Sequence, residues 1–143
     1  MFKPTLGIIG GGQLGSLLSV AANKLNIKTI VLCDDANAPA KNFSSEFIHG
    51  QYNDQMKINA FINKVDIITY EFENIPFETL NQINKIKPVL PKPSVNRIIQ
   101  HRLAEKDFIN KLNIRTTRYV SIKKKSEFDS VLDLLPGILK TNT

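Results

Sequence analysis

The tightest constraint in the sequence is Thr5-Leu-Gly-Ile-Ile-Gly-Gly-Gly-Gln-Leu-Gly-Ser16, a short apolar run that enters a glycine-rich turn. Gly10, Gly12 and Gly15 stand at G-x-G-x-x-G spacing directly after Ile8 and Ile9. Beyond Gly12, the residues Leu14, Leu17, Leu18, Ala21 and Leu25 recur at helical intervals, the one-face pattern of an amphipathic helix. Strand, tight turn and helix start thus follow one another, which is the context this motif needs. Glycine suits the turn because the backbone angles are unusual and a ligand must approach the main chain closely. The free N–H groups and positive dipole at the helix start favour an anion, so a phosphate-bearing ligand is the first expectation.

The remainder of the chain extends this start. Lys28-Thr-Ile-Val-Leu-Cys33 reads as a second buried strand ending at Asp34 and Asp35. Strand, helix and strand in about 30 residues make a βαβ unit, hence a parallel sheet with a right-handed crossover. A loop over residues 36–45 precedes a short third strand at residues 46–49. Ile58, Phe61, Ile62 and Val65 form a further helical stripe, and Asp66-Ile-Ile-Thr-Tyr70 is a strand running into Glu71-Phe-Glu-Asn74. Pro76 suits the first turn of a helix carrying Phe77, Leu80 and Ile83. Val89-Leu90 is a short strand, and Pro88, Pro91 and Pro93 mark a boundary.

Past that boundary the pattern changes. Ser94 is placed to cap a helix bearing Val95, Ile98 and Ile99, and Ala104, Phe108 and Leu112 predict another. Arg118 to Ile122 reads as a strand, and Ser126 with Asp129 resembles a capping box ahead of Phe128, Val131, Leu132 and Leu135. Gly137-Ile-Leu-Lys140 begins one more strand shortly before Thr143. A strand left without neighbours is a poor place for a domain to end, so the chain reads as one whole domain over residues 1–93 and the incomplete opening of a second over 94–143.

Composition excludes several classes. Hydrophobic residues make up 42% and charged residues 22% of the 143, as in globular rather than disordered chains. No apolar run approaches the roughly 20 residues of a membrane span, and no secretory signal opens the chain, so neither a membrane nor export is expected. Cys33 is the only cysteine, which precludes an internal disulfide, suits a reducing cytoplasm and fits a small core residue better than a nucleophile. The net charge of +6 comes from scattered lysines, with Lys123, Lys124 and Lys125 the one dense run. That distribution fits a solvated surface and anionic small substrates, not nucleic acid.

Several residues could carry chemistry. Asp34, at the end of the second strand, could hold the ribose of a dinucleotide, which keeps an NAD(P)-binding dehydrogenase domain open as an alternative. Glu71 and Glu73 flank Phe72, and in an extended backbone both point to one side, able to bind an amine, a hydroxyl pair or a metal. The bland alternative is acidity at a helix N-terminus, with Asn74 as its cap. His49 and His101 have no partners at metal-ligand spacing, and no metal site is expected on them. By spacing alone Arg102 is a solvated helix cation, and Lys140 ends an apolar strand.

Taken together and in this order, Gly10-Gly-Gly-Gln-Leu-Gly15, Thr69-Tyr-Glu-Phe-Glu-Asn-Ile-Pro76, Pro91-Lys-Pro93 and Gln100-His-Arg-Leu-Ala-Glu-Lys106 resemble the N-terminal part of N5-carboxyaminoimidazole ribonucleotide synthase. This is the ATPase subunit of phosphoribosylaminoimidazole carboxylase, an ATP-grasp ligase of purine (IMP) biosynthesis. The resemblance spans the whole chain. It implies an α/β fold: a Rossmann-like pre-ATP-grasp domain with a parallel sheet, then the truncated start of an ATP-grasp domain. The family's activity uses ATP and Mg2+ to phosphorylate bicarbonate, and the product carboxylates the amine of 5-aminoimidazole ribonucleotide.

By that resemblance the glycine turn faces the ribonucleotide rather than NAD. Gly12, Gln13, Leu14 and Glu71, with Glu73 as a weaker companion, would contact that substrate, and Arg102 and Lys140 would contact ATP. The family's catalytic and metal-binding residues would lie beyond Thr143, so this chain alone is expected to be an inactive, cytoplasmic fragment of a protein whose relatives are typically homodimers. His101 stands where the family usually has aspartate. A non-catalytic nucleotide-sensing module is a further alternative.

Overall fold

The computed structural model describes residues 3–142; Met1, Phe2 and Thr143, the last of these within the expected second domain, lie outside them. The chain forms two compact units divided between Arg97 and Ile98. Among the described residues no helix is long and apolar enough to cross a membrane.

The first unit is a four-stranded parallel sheet of β1 (Leu6–Ile9), β2 (Thr29–Cys33), β3 (Glu46–His49) and β4 (Ile67–Tyr70), in the order β3-β2-β1-β4. β2 is buried along its whole length, as expected of an inner parallel strand covered on both faces. Val89 adds a single parallel bridge to Ile68, so the expected strand at Val89-Leu90 is present only as one bridge beyond β4. Helices α1 (Gln13–Lys24), α2 (Gln55–Ile62), α3 (Phe77–Asn84) and α4 (Pro93–Ile99) follow the strands in chain order. Asp54 caps α2, accepting from the amides of Met56 and Lys57 at 2.9 and 3.2 Å.

One sheet face carries the larger core, where Ile9, Leu32 and Ile68 meet Ile58, Phe61 and Leu80 from α2 and α3. On the other face Ile8, Val31 and Cys33 pack with Ala38 and Ala40 of a short 3₁₀ segment, Pro39–Asn42.

α1 reverses the orientation expected from its leucines. Leu14, Leu17 and Leu25 are more than half exposed, while Gly15, Ser16, Ser19 and Ala22 are buried. Small residues let this helix lie close to its neighbours. The two buried hydroxyls cost little because the helix itself satisfies them: Ser16 donates to the Gln13 carbonyl at 2.7 Å and Ser19 to that of Gly15 at 2.9 Å. Periodicity located the helix but not its buried face.

Two caps also differ from expectation. α3 begins at Phe77 with Pro76 before it, and Asn74 provides no cap; α4 begins at Pro93, so Ser94 lies inside the helix.

The second unit contains α5 (Arg102–Lys111) and a 3₁₀ stretch, Lys125–Leu134, broken by non-helical angles at Val131. Neither has a buried residue. The strands expected at residues 118–122 and 137–140 are irregular backbone, and the expected capping box at Ser126 is not used, because the 3₁₀ stretch starts after Lys124. A strand needs a partner for its backbone groups, and alternating apolar residues do not supply one.

Candidate functional site

Strand order fixes where a ligand can gather. The chain runs outward from β1 through β2 to β3, then crosses to β4 on the far side of β1. The carboxyl ends of β1 and β4 therefore flank a topological switch point, the usual crevice for ligands in open α/β sheets. Register supplies the detail: Ile9 pairs with Tyr70, so the residues that follow, Gly10 and Glu71, leave the sheet side by side.

Gly10 turns the chain with φ of +100°, a conformation L side chains rarely adopt. Its amide donates to the Leu32 carbonyl at 2.9 Å, and the Glu71 amide donates to Ile9 at 3.2 Å, which ties both exits to the sheet. The Glu71 side chain then folds back over the turn, and its Oε1 accepts the Gly12 amide at 3.0 Å. The glycines make room for this carboxylate. A Cβ on Gly10 would lie 2.8 Å from Glu71 Oε1, and one on Gly12 would lie 3.2 Å from it. Gly15 serves a different purpose, since a Cβ there would stand 2.7 Å from the Gly10 carbonyl oxygen.

The consequence is electrostatic. The turn already holds an anion, and it is part of the protein. A dinucleotide pyrophosphate set against the Gly12 amide would meet this carboxylate at roughly 4 Å, a repulsion of about 4 kcal/mol at an effective dielectric near 20. Gly12 has no side chain with which to cap the first turn of α1, and the Gln13 and Leu14 amides belong to the donors a helix start leaves over. Both residues are exposed. The site therefore offers an acceptor at Glu71 and donors one step further along α1, which suits a ligand bearing both hydroxyl or amine groups and a phosphate.

The two acidic residues part company. Extended backbone ends at Tyr70, and residues 71–74 form a turn in which the Ile75 amide reaches the Phe72 carbonyl at 3.4 Å. Glu71 is half-buried at the glycine turn, whereas Glu73 is exposed on the turn's tip. Asp34 is exposed beyond β2; its carbonyl oxygen lies 3.1 Å from His49 Nε2 and its carboxylate 3.8 Å from the Cys33 thiol. Cys33 is buried and receives the Tyr52 hydroxyl at 3.7 Å. Burial, reinforced by Cys33 and Asp34, pushes that hydroxyl well above the ordinary tyrosine range.

Within the second unit, Arg102 and Lys140 are both exposed. The Arg102 amide donates to the Asn142 carbonyl at 2.8 Å, so Lys140, two residues before Asn142, stands within about 12 Å of Arg102's backbone. His101 takes over a role suited to aspartate: its Nδ1 accepts the Ala104 amide at 3.3 Å and caps α5. Spacing alone did not reveal this cap, because histidine is not a usual N-cap.

Residues 3–100 match the ribonucleotide synthetase pre-ATP-grasp domain. The chain belongs to this pre-ATP-grasp family. Over 142 residues it is 33% identical to N5-carboxyaminoimidazole ribonucleotide synthase of Staphylococcus aureus strain COL, covering 98% of this chain and 38% of that protein. It is also 36% identical over 141 residues to the bifunctional purine synthesis protein purC/E of Dictyostelium discoideum, covering 97% of this chain and 14% of that one. The pre-ATP-grasp fold extends to solved structures. The Staphylococcus aureus N5-carboxyaminoimidazole synthetase complexed with ADP superposes with a TM-score of 0.85 at 32% identity, over 94% of this chain and 36% of that one. The Aspergillus clavatus synthase in complex with ADP and 5-aminoimidazole ribonucleotide gives 0.80 at 28% identity, again over 94% and 36%. The pre-ATP-grasp chain thus spans well under half the length of these relatives.

Proposed function

We propose that this chain forms the ribonucleotide-facing side of an ATP-dependent ligase that carboxylates 5-aminoimidazole ribonucleotide with bicarbonate in purine biosynthesis. The observation that carries this reading is the Glu71 carboxylate held on the glycine turn by the Gly12 amide. A fixed carboxylate accepts hydrogen bonds from sugar hydroxyls or an amine, and charge makes such bonds strong. The amides of Gln13 and Leu14 offer the positive end of α1 to the phosphate of the same molecule. Glu73, exposed beside them, would add a second acceptor only on movement of the turn.

Arg102 and Lys140 suit the nucleotide. Both are exposed cations close in the backbone, and neither is engaged in an ion pair with a described acidic residue. Arginine grips phosphate oxygens in a fork while lysine acts as a point charge. ATP, with Mg2+ in the family's reaction, supplies the phosphoryl group that activates bicarbonate.

Calorimetric titration of the 143-residue chain tests the reading. 5-Aminoimidazole ribonucleotide should bind and NADH should not, and Glu71→Ala should weaken the ribonucleotide by about 10- to 100-fold, the value of hydrogen bonds to a charged group. Binding of NADH, or ribonucleotide binding indifferent to Glu71→Ala, would contradict it.

A further inference from the structure

The acidic turn at residues 71–75 is held at its start by the sheet, through the pairing of Tyr70 with Ile9 and the Glu71 amide. Its middle, Phe72 to Asn74, is exposed. Its far end is anchored by the Ile75 side chain, buried in the larger core, and by a polar side chain from another helix: Asn96 of α4, fully buried, donates from Nδ2 to the Ile75 carbonyl at 3.0 Å. α4 is also kept near α3 in the first unit, where the Arg97 guanidinium lies over the Phe77 ring at 5.1 Å.

The rest of Asn96 makes it an expensive residue to keep. Its Oδ1 is buried without a hydrogen-bond partner among the described residues, and its backbone lies against the buried hydroxyl of Tyr70, the residue immediately before Glu71. A buried amide that satisfies only its donor side carries a desolvation cost that an apolar residue would avoid. The gain must lie in the bond it does make.

We propose that Asn96 is a positioning residue: by holding the Ile75 carbonyl it closes the acidic turn and keeps the Glu71 carboxylate on the Gly12 amide, ready for the substrate. Its importance for ligand binding rests on the function proposed above, whereas its hold on Glu71 can be read without any ligand. The Gly12 amide donates directly to Glu71, so its exchange with solvent deuterium reports whether that bond is kept.

The experiment measures hydrogen–deuterium exchange at the Gly12 amide in the labelled 143-residue chain. Asn96→Ala should speed exchange at Gly12 about tenfold while the Ile8 amide of β1 stays protected, and weaken 5-aminoimidazole ribonucleotide about tenfold. Asn96→Ser, which leaves a smaller gap, serves if the alanine variant does not fold. Tyr70→Phe removes a buried hydroxyl that lies against the Asn96 backbone but keeps the Asn96 side-chain bond, and should leave exchange at Gly12 unchanged. Unaltered exchange at Gly12 in a folded Asn96 variant overturns the proposal, as does an equal acceleration in Tyr70→Phe, which would show that any disturbance there suffices. If Asn96→Ala speeds exchange at Gly12 but the wild-type chain binds no ribonucleotide, the positioning role stands and the ligand reading fails.

Discussion

Glu71 accepts the backbone amide of Gly12 at 3.0 Å across 59 residues of sequence, joining the end of the fourth strand to the turn after the first. The carboxylate occupies the place where many glycine-rich turns receive a phosphate from outside. On the function proposed above, this built-in anion would favour ligands that bring donors to Glu71 and keep their phosphate at a distance from it. The same bond helps order the turn, since an otherwise spare donor near the helix start is satisfied.

The glycines around this bond are not equivalent. Gly15→Ala drives a methyl to 2.7 Å from a backbone oxygen, which can yield only by moving the turn. A loss of about 1–3 kcal/mol is expected, as for other overpacked sites. Gly12→Ala meets the flexible end of a side chain at 3.2 Å and should cost less fold stability while displacing Glu71. Thermal denaturation separates the two, with the larger fall in Tm for Gly15→Ala.

The reversed face of α1 predicts an unusual pair of outcomes. Leu17, 59% exposed, should tolerate Leu17→Gln within about 0.5 kcal/mol, the ordinary range for surface changes. Ser19 is fully buried, and Ser19→Leu should destabilise by about 1–3 kcal/mol despite its greater hydrophobicity. Urea denaturation of both variants checks the assignment, and the opposite ranking would put the leucines in the core.

This helix also marks how far the sequence can be read. The strand, turn and helix at residues 5–24, the parallel sheet and the nearness of Glu71 to the turn all follow from patterns along the chain, because apolar runs and glycine spacing encode local geometry directly. The buried face of α1 does not, since serines that bond their own helix look polar in a sequence. The parting of Glu71 from Glu73 was hidden for a related reason: alternation along a strand holds only while the strand lasts, and this one ends at Tyr70. Asn96 carried no signal either, as a polar residue on a short helix gives no hint that it is buried. In the second unit, apolar periodicity predicted strands at residues 118–122 and 137–140 that have no neighbour to pair with.

Alkaline pH should weaken the first unit through Tyr52. Its hydroxyl is held neutral well above the ordinary tyrosine range, chiefly by burial, while in the unfolded chain it ionises near 10. The folded state therefore keeps a proton that the unfolded state releases, and stability falls as pH rises above about 10. Tyr70, raised in the same direction by burial, adds to the fall. Tyr52→Phe should flatten the curve between neutral and alkaline pH; an unchanged slope would show that Tyr52 is accessible to solvent.

His101 as the cap of α5 gives a prediction for the second unit. His101→Ala should cost about 1 kcal/mol of helix stability, and His101→Asp should restore the cap and add a favourable charge at the helix start. Amide exchange protection at Ala104 reads both.

The most direct measurement is the amide spectrum of the labelled chain as 5-aminoimidazole ribonucleotide is added. The Gly12, Gln13 and Leu14 amides should shift together and saturate in wild type, and should stay still in Glu71→Ala at the same concentrations. Shifts confined to other residues, or identical in the two proteins, would contradict a substrate site built from Glu71 and the glycine turn.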